Sequence, residues 1–312
     1  MASKIPAKQS ERDDNELAIS FEFFPPKSAA METRLWETIK RLEPLDPRFV
    51  SVTYGADGST RERTHGTVTR ILRETHVLPA AHLTCVGATR DDIDDIARAY
   101  WQAGVRHIVA LRGDPPGGVQ APYEPHPGGY AYASELVAGL KRIGDFEISV
   151  AAFPETHPGA LSPEADLDNL KRKIDAGACR AITQFFFDPT DYLKFLDRVR
   201  AAGIEAPVVP GILPITNFAR LVDFAGKCGT KVPAWLYDLF GHLDEDPESR
   251  DLVAAATAAE QCRYLQAYGV SEFHFYTLNR AELTTAICRM LRAPATPWAN
   301  GPFTGPRLEA HA

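Results

Sequence analysis

Glu22 stands in the stretch Ile19-Ser20-Phe21-Glu22-Phe23-Phe24-Pro25-Pro26-Lys27, where six of nine residues are Ile, Phe or Pro. On a strand, successive side chains alternate, so Ser20, Glu22 and Phe24 share one face and Ile19, Phe21 and Phe23 the other. Pro25 and Pro26 end the strand, because neither can donate to a ladder. A lone carboxyl in apolar surroundings is costly to ionise. Its pKa is expected to rise, so that it can hold a proton near neutral pH as a general acid does. A Glu salt-bridged inside a barrel, or a solvated strand end, would look the same in this segment alone.

Other polar residues fall where strands are expected to end. They are Thr53 and Tyr54, His82, Arg112 and Asp114, Gln184, and Tyr276 with Asn279 and Arg280. Singly each has a plain reading, since a buried Gln is usually a satisfied core amide and a strand Tyr usually packs. Together they favour a site. A helical stretch adds Asp166, Asn169, Arg172 and Lys173 at i, i+3, i+6 and i+7, beside an apolar side of Leu167, Leu170 and Ile174. Amide, guanidinium and ammonium at a strand-to-helix corner suit phosphate oxygens. An ordinary solvated helix face gives the same pattern. His157, in the preceding loop, is either part of that ligand site or a surface residue.

The elements that must position these groups alternate along the chain. Strands are expected at Ile19, 49–54, 80–86, 107–112, 147–153, 180–187, 207–213 and 272–277. Helices are expected over about 33–42, from a Ser59 or Thr60 cap to about 75, 89–103, 133–143, 163–176, from Asp188-Pro189 onward, 217–227, 233–240, 247–268 and 281–291. Thr89 opens its helix with Asp91 and Asp92 in the first turn, as the macrodipole prefers. Eight strands alternating with helices imply parallel βαβ units and fit a single (β/α)8 TIM barrel, typically about 250 residues. Extra helices precede the last strand. A doubly wound open sheet is the alternative. Residues 1–16 read as a disordered segment, 17–293 as the barrel and 294–312 as a loose tail.

Composition narrows the partners. Of 312 residues, 45% are hydrophobic and 24% charged, which is globular. A net charge of −7 argues against nucleic acid. No apolar run approaches the roughly 20 residues of a membrane span, and residues 1–16 lack the apolar region of a secretory signal. The five cysteines are widely spaced and contain no C-x-x-C. Reduced thiols in a cytoplasmic protein are expected, with neither disulfide nor metal site. G-x-G-x-x-G, Walker A and H-E-x-x-H motifs are absent, so a dinucleotide would not bind in the Rossmann manner.

Several motifs occur in an order and spacing that resemble the bacterial 5,10-methylenetetrahydrofolate reductases. They are Phe21 to Lys27, Ser51 to Ala56, Leu111 to Pro116, Asp166 to Lys173, Ile182 to Phe187, Pro210 to Pro214 and Phe273 to Asn279. The resemblance runs from about residue 18 to 291. It implies a (β/α)8 barrel with non-covalent FAD, a homo-oligomer, often a tetramer, and reduction of 5,10-methylenetetrahydrofolate to 5-methyltetrahydrofolate by NADH or NADPH. It implies ping-pong hydride transfer through the flavin, a place in one-carbon metabolism and methionine biosynthesis, and no control by S-adenosylmethionine.

Residue by residue, Glu22 matches the family's proton donor. Thr53, Tyr54, Ala56, His82, Arg112, Gly113, Asp114, Tyr132 and Ala133 match flavin-lining positions, with Asp114 tuning the reduced flavin. His157, Asp166, Asn169, Arg172 and Lys173 match the adenosine and pyrophosphate end. Gln184, Tyr276 and Arg280 match folate contacts, and Phe224 matches an aromatic on which the nicotinamide dinucleotide folds. Arg220 departs from the pattern, standing where such an enzyme has a Gln touching that dinucleotide, which leaves the NADH or NADPH preference open. A proline dehydrogenase-like flavin barrel and a non-catalytic flavin-binding protein are the other classes.

Overall fold

The computed structural model describes residues 17–55, 61–115, 117–118 and 121–293. The expected tails, the Ser59 or Thr60 cap and Ala56 lie outside them. β1 (Ala18–Phe23), β2 (Phe49–Val52), β3 (Pro79–Thr84), β4 (His107–Leu111), β5 (Glu147–Ala152) and β6 (Arg180–Thr183) follow one another, each parallel to the next. Between them run α1 (Ala29–Leu42), α2 (Arg61–Glu74), α3 (Arg90–Gln102), α4 (Ala133–Ile143) and α5 (Pro163–Asp175). α6 (Pro189–Ala201) leads to β7 (Val208–Val209) and β8 (Gly211–Ile212). Then α7 (Phe218–Cys228), α8 (Ala234–Phe240) and α9 (Pro247–Ala267) precede β9 (Glu272–Tyr276) and α10 (Glu282–Arg292).

The strand order is β7-β6-β5-β4-β3-β2-β1-β9-β8. Its two ends, β7 and β8, are separated in the chain only by Pro210, so the sheet returns on itself as a parallel α/β barrel. The single seventh strand expected from sequence is therefore split. Proline has no N–H for the ladder. Val208 and Val209 pair with Ala181 and Ile182, while Gly211 and Ile212 pair with His274 and Phe275. Most other strands also end one to four residues before the expected bound, β2 and β6 among them. β2 ends at Val52, where Thr53 N–H makes one more bond to the Phe23 carbonyl. β6 ends at Thr183 because Gln184 Oε1 accepts from the Phe185 N–H and turns the chain.

Helix starts follow their caps. Thr89 and Asp92 form a reciprocal capping box on α3, and Asp188 and Asn217 cap α6 and α7. α1 begins four residues before the expected Thr33, because Ser28 supplies the cap by accepting from Met31 N–H. Strand alternation divides the interior in two. Ile19, Phe21 and Phe23 face outward into the main core, with Leu35 and Ile39 of α1. Phe49, Ala80, Val109 and Ile182 form a separate cluster in the lumen.

The lumen is also polar. Ser20, Ser51, His82, His107, Ser149, Arg180 and His274 are all buried. Toward the amino ends of the strands, Arg180 lies over the Phe49 ring, is hydrogen-bonded to Glu147 and stands 3.4 Å from Glu272. Arg48 closes this floor on Glu272 at 3.1 Å.

Candidate active site

A cavity of about 740 Å³ opens at the carboxyl ends of the strands, the position at which barrels of this kind carry chemistry. Its size is toward the upper part of the roughly 300–1,000 Å³ usual for ligand pockets. Glu22, Thr53, Tyr54, His82, Arg112, Gly113, Asp114, Tyr132 and Ala133 line it, as do His157, Asp166, Asn169, Arg172, Lys173, Gln184, Phe224 and Tyr276. Arg220 and Arg280 are exposed and do not line it.

Glu22 reaches the cavity because the outward packing of Phe21 and Phe23 turns it into the lumen. Its surroundings differ from the apolar pocket expected from sequence. Glu22 Oε2 lies 3.4 Å from His82 Nε2 and 3.8 Å from His274 Nε2. These neighbours come from β3 and β9, which no local pattern around Glu22 reveals. His274 is held from behind by a 2.8 Å contact between its Nδ1 and Ser20 Oγ. Burial lowers the His82 pKa to about 4, against the opposing charge of Glu22, so its ring is neutral at physiological pH. Both Nε2 atoms that face Glu22 are buried without a hydrogen-bond partner among the described residues. Tyr276 donates to the Thr183 carbonyl at 2.6 Å, and burial, reinforced by Glu22, raises its pKa and keeps the phenol neutral.

The opposite end of the cavity is cationic. α5 carries Asn169, Arg172 and Lys173 along one side, as the spacing predicts. Lys173 is buried, donates to the Ala151 carbonyl at 2.6 Å, and has its pKa lowered to about 8 by burial, with Asp166 opposing. Asp166 also accepts from the His157 N–H at 2.9 Å, which ties the β5–α5 loop to the helix. At the β4 end, Gly113 takes φ +85°, a left-handed conformation that glycine adopts without steric cost. The Arg112 guanidinium lies 4.4 Å from the centre of the Tyr123 ring. Across the mouth, Phe224 stacks on Phe185, with centroids 5.4 Å apart and planes 19° apart. Phe224 is 49% exposed, so its outer face is open to a planar ligand.

This arrangement fits an extended ligand with an anionic end and planar rings. A buried ammonium, a guanidinium and an amide gather at one end, and aromatic walls and a carboxyl at the other. Sequence reasoning gave His274, Phe185 and Leu278 no site role, although the quoted motifs contain all three. His274 and Leu278 become informative only when β9 is laid beside β1.

A parallel α/β barrel whose carboxyl-end cavity carries an inward acid defines a barrel enzyme. The chain belongs to the methylenetetrahydrofolate reductase family, whose model matches residues 7–292. It is 53% identical over 273 residues to the 5,10-methylenetetrahydrofolate reductase of Pectobacterium carotovorum subsp. carotovorum, covering 88% of this chain and 89% of that protein. It is 52% identical over 276 residues to that of Escherichia coli (strain K12), covering 88% and 91%. It is accordingly an oxidoreductase with methylenetetrahydrofolate reductase function. A solved structure of an uncharacterized protein from Clostridium thermocellum, which binds two copies of 5-methyl-5,6,7,8-tetrahydrofolic acid, shares the fold. Its TM-score is 0.62 at 14% identity, covering 89% of this chain and 95% of that one. No helix among the described residues is long and apolar enough to cross a membrane.

Proposed function

We propose that the chain converts 5,10-methylenetetrahydrofolate to 5-methyltetrahydrofolate with NADH or NADPH and non-covalent FAD, in a ping-pong cycle with Glu22 as the general acid. The observation that carries this reading is the Glu22 carboxyl at the carboxyl end of β1, facing the cavity beside two imidazoles. Asn169, Arg172 and Lys173 would hold the pyrophosphate and adenosine end of FAD, with Asp166 and His157 shaping the loop. Thr53, Tyr54, Ala56, His82, Arg112, Gly113, Tyr132 and Ala133 would line the ring end. When bound, FAD supplies hydride exchange between the nicotinamide and the folate. Asp114 places negative charge on the same wall, which disfavours anionic charge on a ring held there. Gln184, Tyr276 and Arg280 would orient the folate, and Phe224 and Arg220 the nicotinamide dinucleotide.

Glu22 supplies the proton that chemistry at the folate needs. Protonation of N10 opens the imidazolidine ring and leaves a 5-iminium cation able to accept hydride. Oxidation of NAD(P)H requires no such proton. Glu22→Gln, measured in the two half-reactions separately, therefore tests the reading. Flavin bleaching by NAD(P)H is expected to continue at a comparable rate while folate reduction falls sharply. Equal slowing of both would make Glu22 a structural residue. We further take the enzyme to be a cytoplasmic homo-oligomer serving one-carbon metabolism and methionine biosynthesis.

A further inference from the structure

β1 loses its neighbours just past the acid. Its ladder with β9 ends at the Glu22–Tyr276 pair and that with β2 at Phe23–Val52. Pro25 and Pro26 then offer no N–H. The Phe24 main chain thus leaves the sheet with a donor and an acceptor to satisfy, at the residue that would otherwise set the direction of β1 beyond Glu22. Asn279 satisfies both. Its Oδ1 accepts from Phe24 N–H at 2.8 Å and its Nδ2 donates to the Phe24 carbonyl at 3.0 Å. Thr277 Oγ1 adds a 2.6 Å bond to the carbonyl of Glu22 itself.

The segment that presents these groups is held in an uncommon conformation. Leu278 and Asn279 have φ of +52° and +54°, a left-handed pair containing no glycine. Asn tolerates that region better than most residues, but Leu does not. The strain is held by neighbours: Thr38 Oγ1 donates to the Asn279 carbonyl at 3.1 Å, and Arg280 N–H donates to the Thr277 carbonyl at 2.9 Å. Asn279 is buried, while Phe24 and Leu278 on either side of the clamp line the cavity. Strained backbone of this kind persists where the surroundings over-determine it, typically at functional positions.

We propose that Asn279 is a positioning residue for the acid: its carboxamide acts as a one-residue substitute strand that fixes the end of β1 and so the direction of the Glu22 carboxyl. The proposal rests on Glu22 being the acid. A misplacement of about 1 Å at a reacting group can cost as much as 10²-fold in rate, and this clamp lies two residues from the carboxyl.

Asn279→Gly removes the amide but keeps the left-handed backbone accessible, so it separates the clamp from the turn. In the FAD-loaded enzyme, the folate half-reaction is expected to slow by about tenfold or more. Its pH profile should be displaced, because the environment of the acid changes. Flavin bleaching by NADH and FAD content should stay near wild type, while the melting midpoint falls because the Phe24 main chain loses two hydrogen bonds. Asn279→Asp keeps the acceptor for Phe24 N–H and loses the donor, and should fall between; it serves as the readout if the glycine variant does not fold. Parallel slowing of both half-reactions, or no change in either, would overturn the positioning role. Glu22→Gln is measured alongside. If it leaves folate reduction intact, the acid assignment falls and this inference with it. If it slows folate reduction while both Asn279 variants do not, only the positioning role falls.

Discussion

The two ends of the barrel lumen use the same kinds of residue and treat them differently. At the floor, Arg180 is hydrogen-bonded to Glu147 and faces Glu272, Glu272 also meets Arg48, and His107 Nε2 sits 2.8 Å from Ser149 Oγ. Opposite charges there meet each other. At the mouth, Glu22 meets imidazoles, at 3.4 and 3.8 Å, and no Lys or Arg among the described residues forms an ion pair with it. Pairing a buried charge spends its reactivity on structure, whereas an unpaired polar group near a cavity stays available to a ligand. The floor is built to hold the barrel, and the mouth to act.

This contrast is sharpest when one residue at each end is removed. Glu22→Gln should reduce the folate half-reaction by about 10²–10⁴-fold, the usual contribution of a general acid. It should leave the denaturant midpoint close to wild type, with a stability change under about 1 kcal/mol. Stopped-flow traces and urea titrations on the same preparation check both. Arg180→Ala should do the reverse. Removing one partner of a buried ion pair costs about 3–5 kcal/mol, here because Glu147 and Glu272 would lose their shared cation. The folate rate per folded molecule should change far less. If Arg180→Ala is stable and slow, the division between floor and mouth is wrong.

Smaller effects refine it. Arg172→Ala should weaken FAD retention by roughly 10–100-fold, since a charge-assisted hydrogen bond contributes about 1.5–3 kcal/mol; equilibrium dialysis of the apoprotein measures this. Acid should act on the lumen as a whole. Burial lowers the His82 pKa to about 4 and that of His107 to about 3, from an ordinary value near 6.5. Below about pH 6.5 the unfolded chain therefore binds more protons than the folded one. Stability is full above that pH and is lost as pH falls toward the folded values, by up to about 1.4 kcal/mol per pH unit for each histidine. Denaturation midpoints between pH 7 and 4.5 should fall, and His107→Gln should flatten the slope. The smallest effect is expected at Arg220, which is exposed beyond the cavity lining. In Arg220→Gln, the ratio of flavin reduction rates with NADPH and NADH should move by about fivefold at most, the worth of an exposed ion pair.

The barrel was legible where local chemistry decides. The alternation around Glu22 sent Phe21 and Phe23 into the outer core and Glu22 into the lumen, as the strand pattern requires. Thr89, Asp188 and Asn217 marked helix starts because capping is a short-range hydrogen bond. Elements failed to read where a distant partner decides. Pro210 splits the seventh strand because its two halves bond to different neighbours, β6 and β9. Of the site, the phosphate-suited face of α5 was readable from spacing on one helix. The sequence marks His82 and Asn279 as site residues, but their relation to the acid, and the part of His274, were not readable, because they exist only once the sheet has closed.

Closure of that sheet has a consequence for synthesis. Thr277 bonds to a carbonyl 255 residues earlier in the chain, and β1 completes its pairing only with β9. At about 5–20 residues per second, the ribosome takes roughly 13–50 s to deliver the partner of the first strand. Throughout that interval β1, with two aromatic residues in six, has no β9 on one edge. An unpaired edge of this composition invites pairing with other chains. The nascent barrel therefore carries an open β1 edge until residue 276 has emerged.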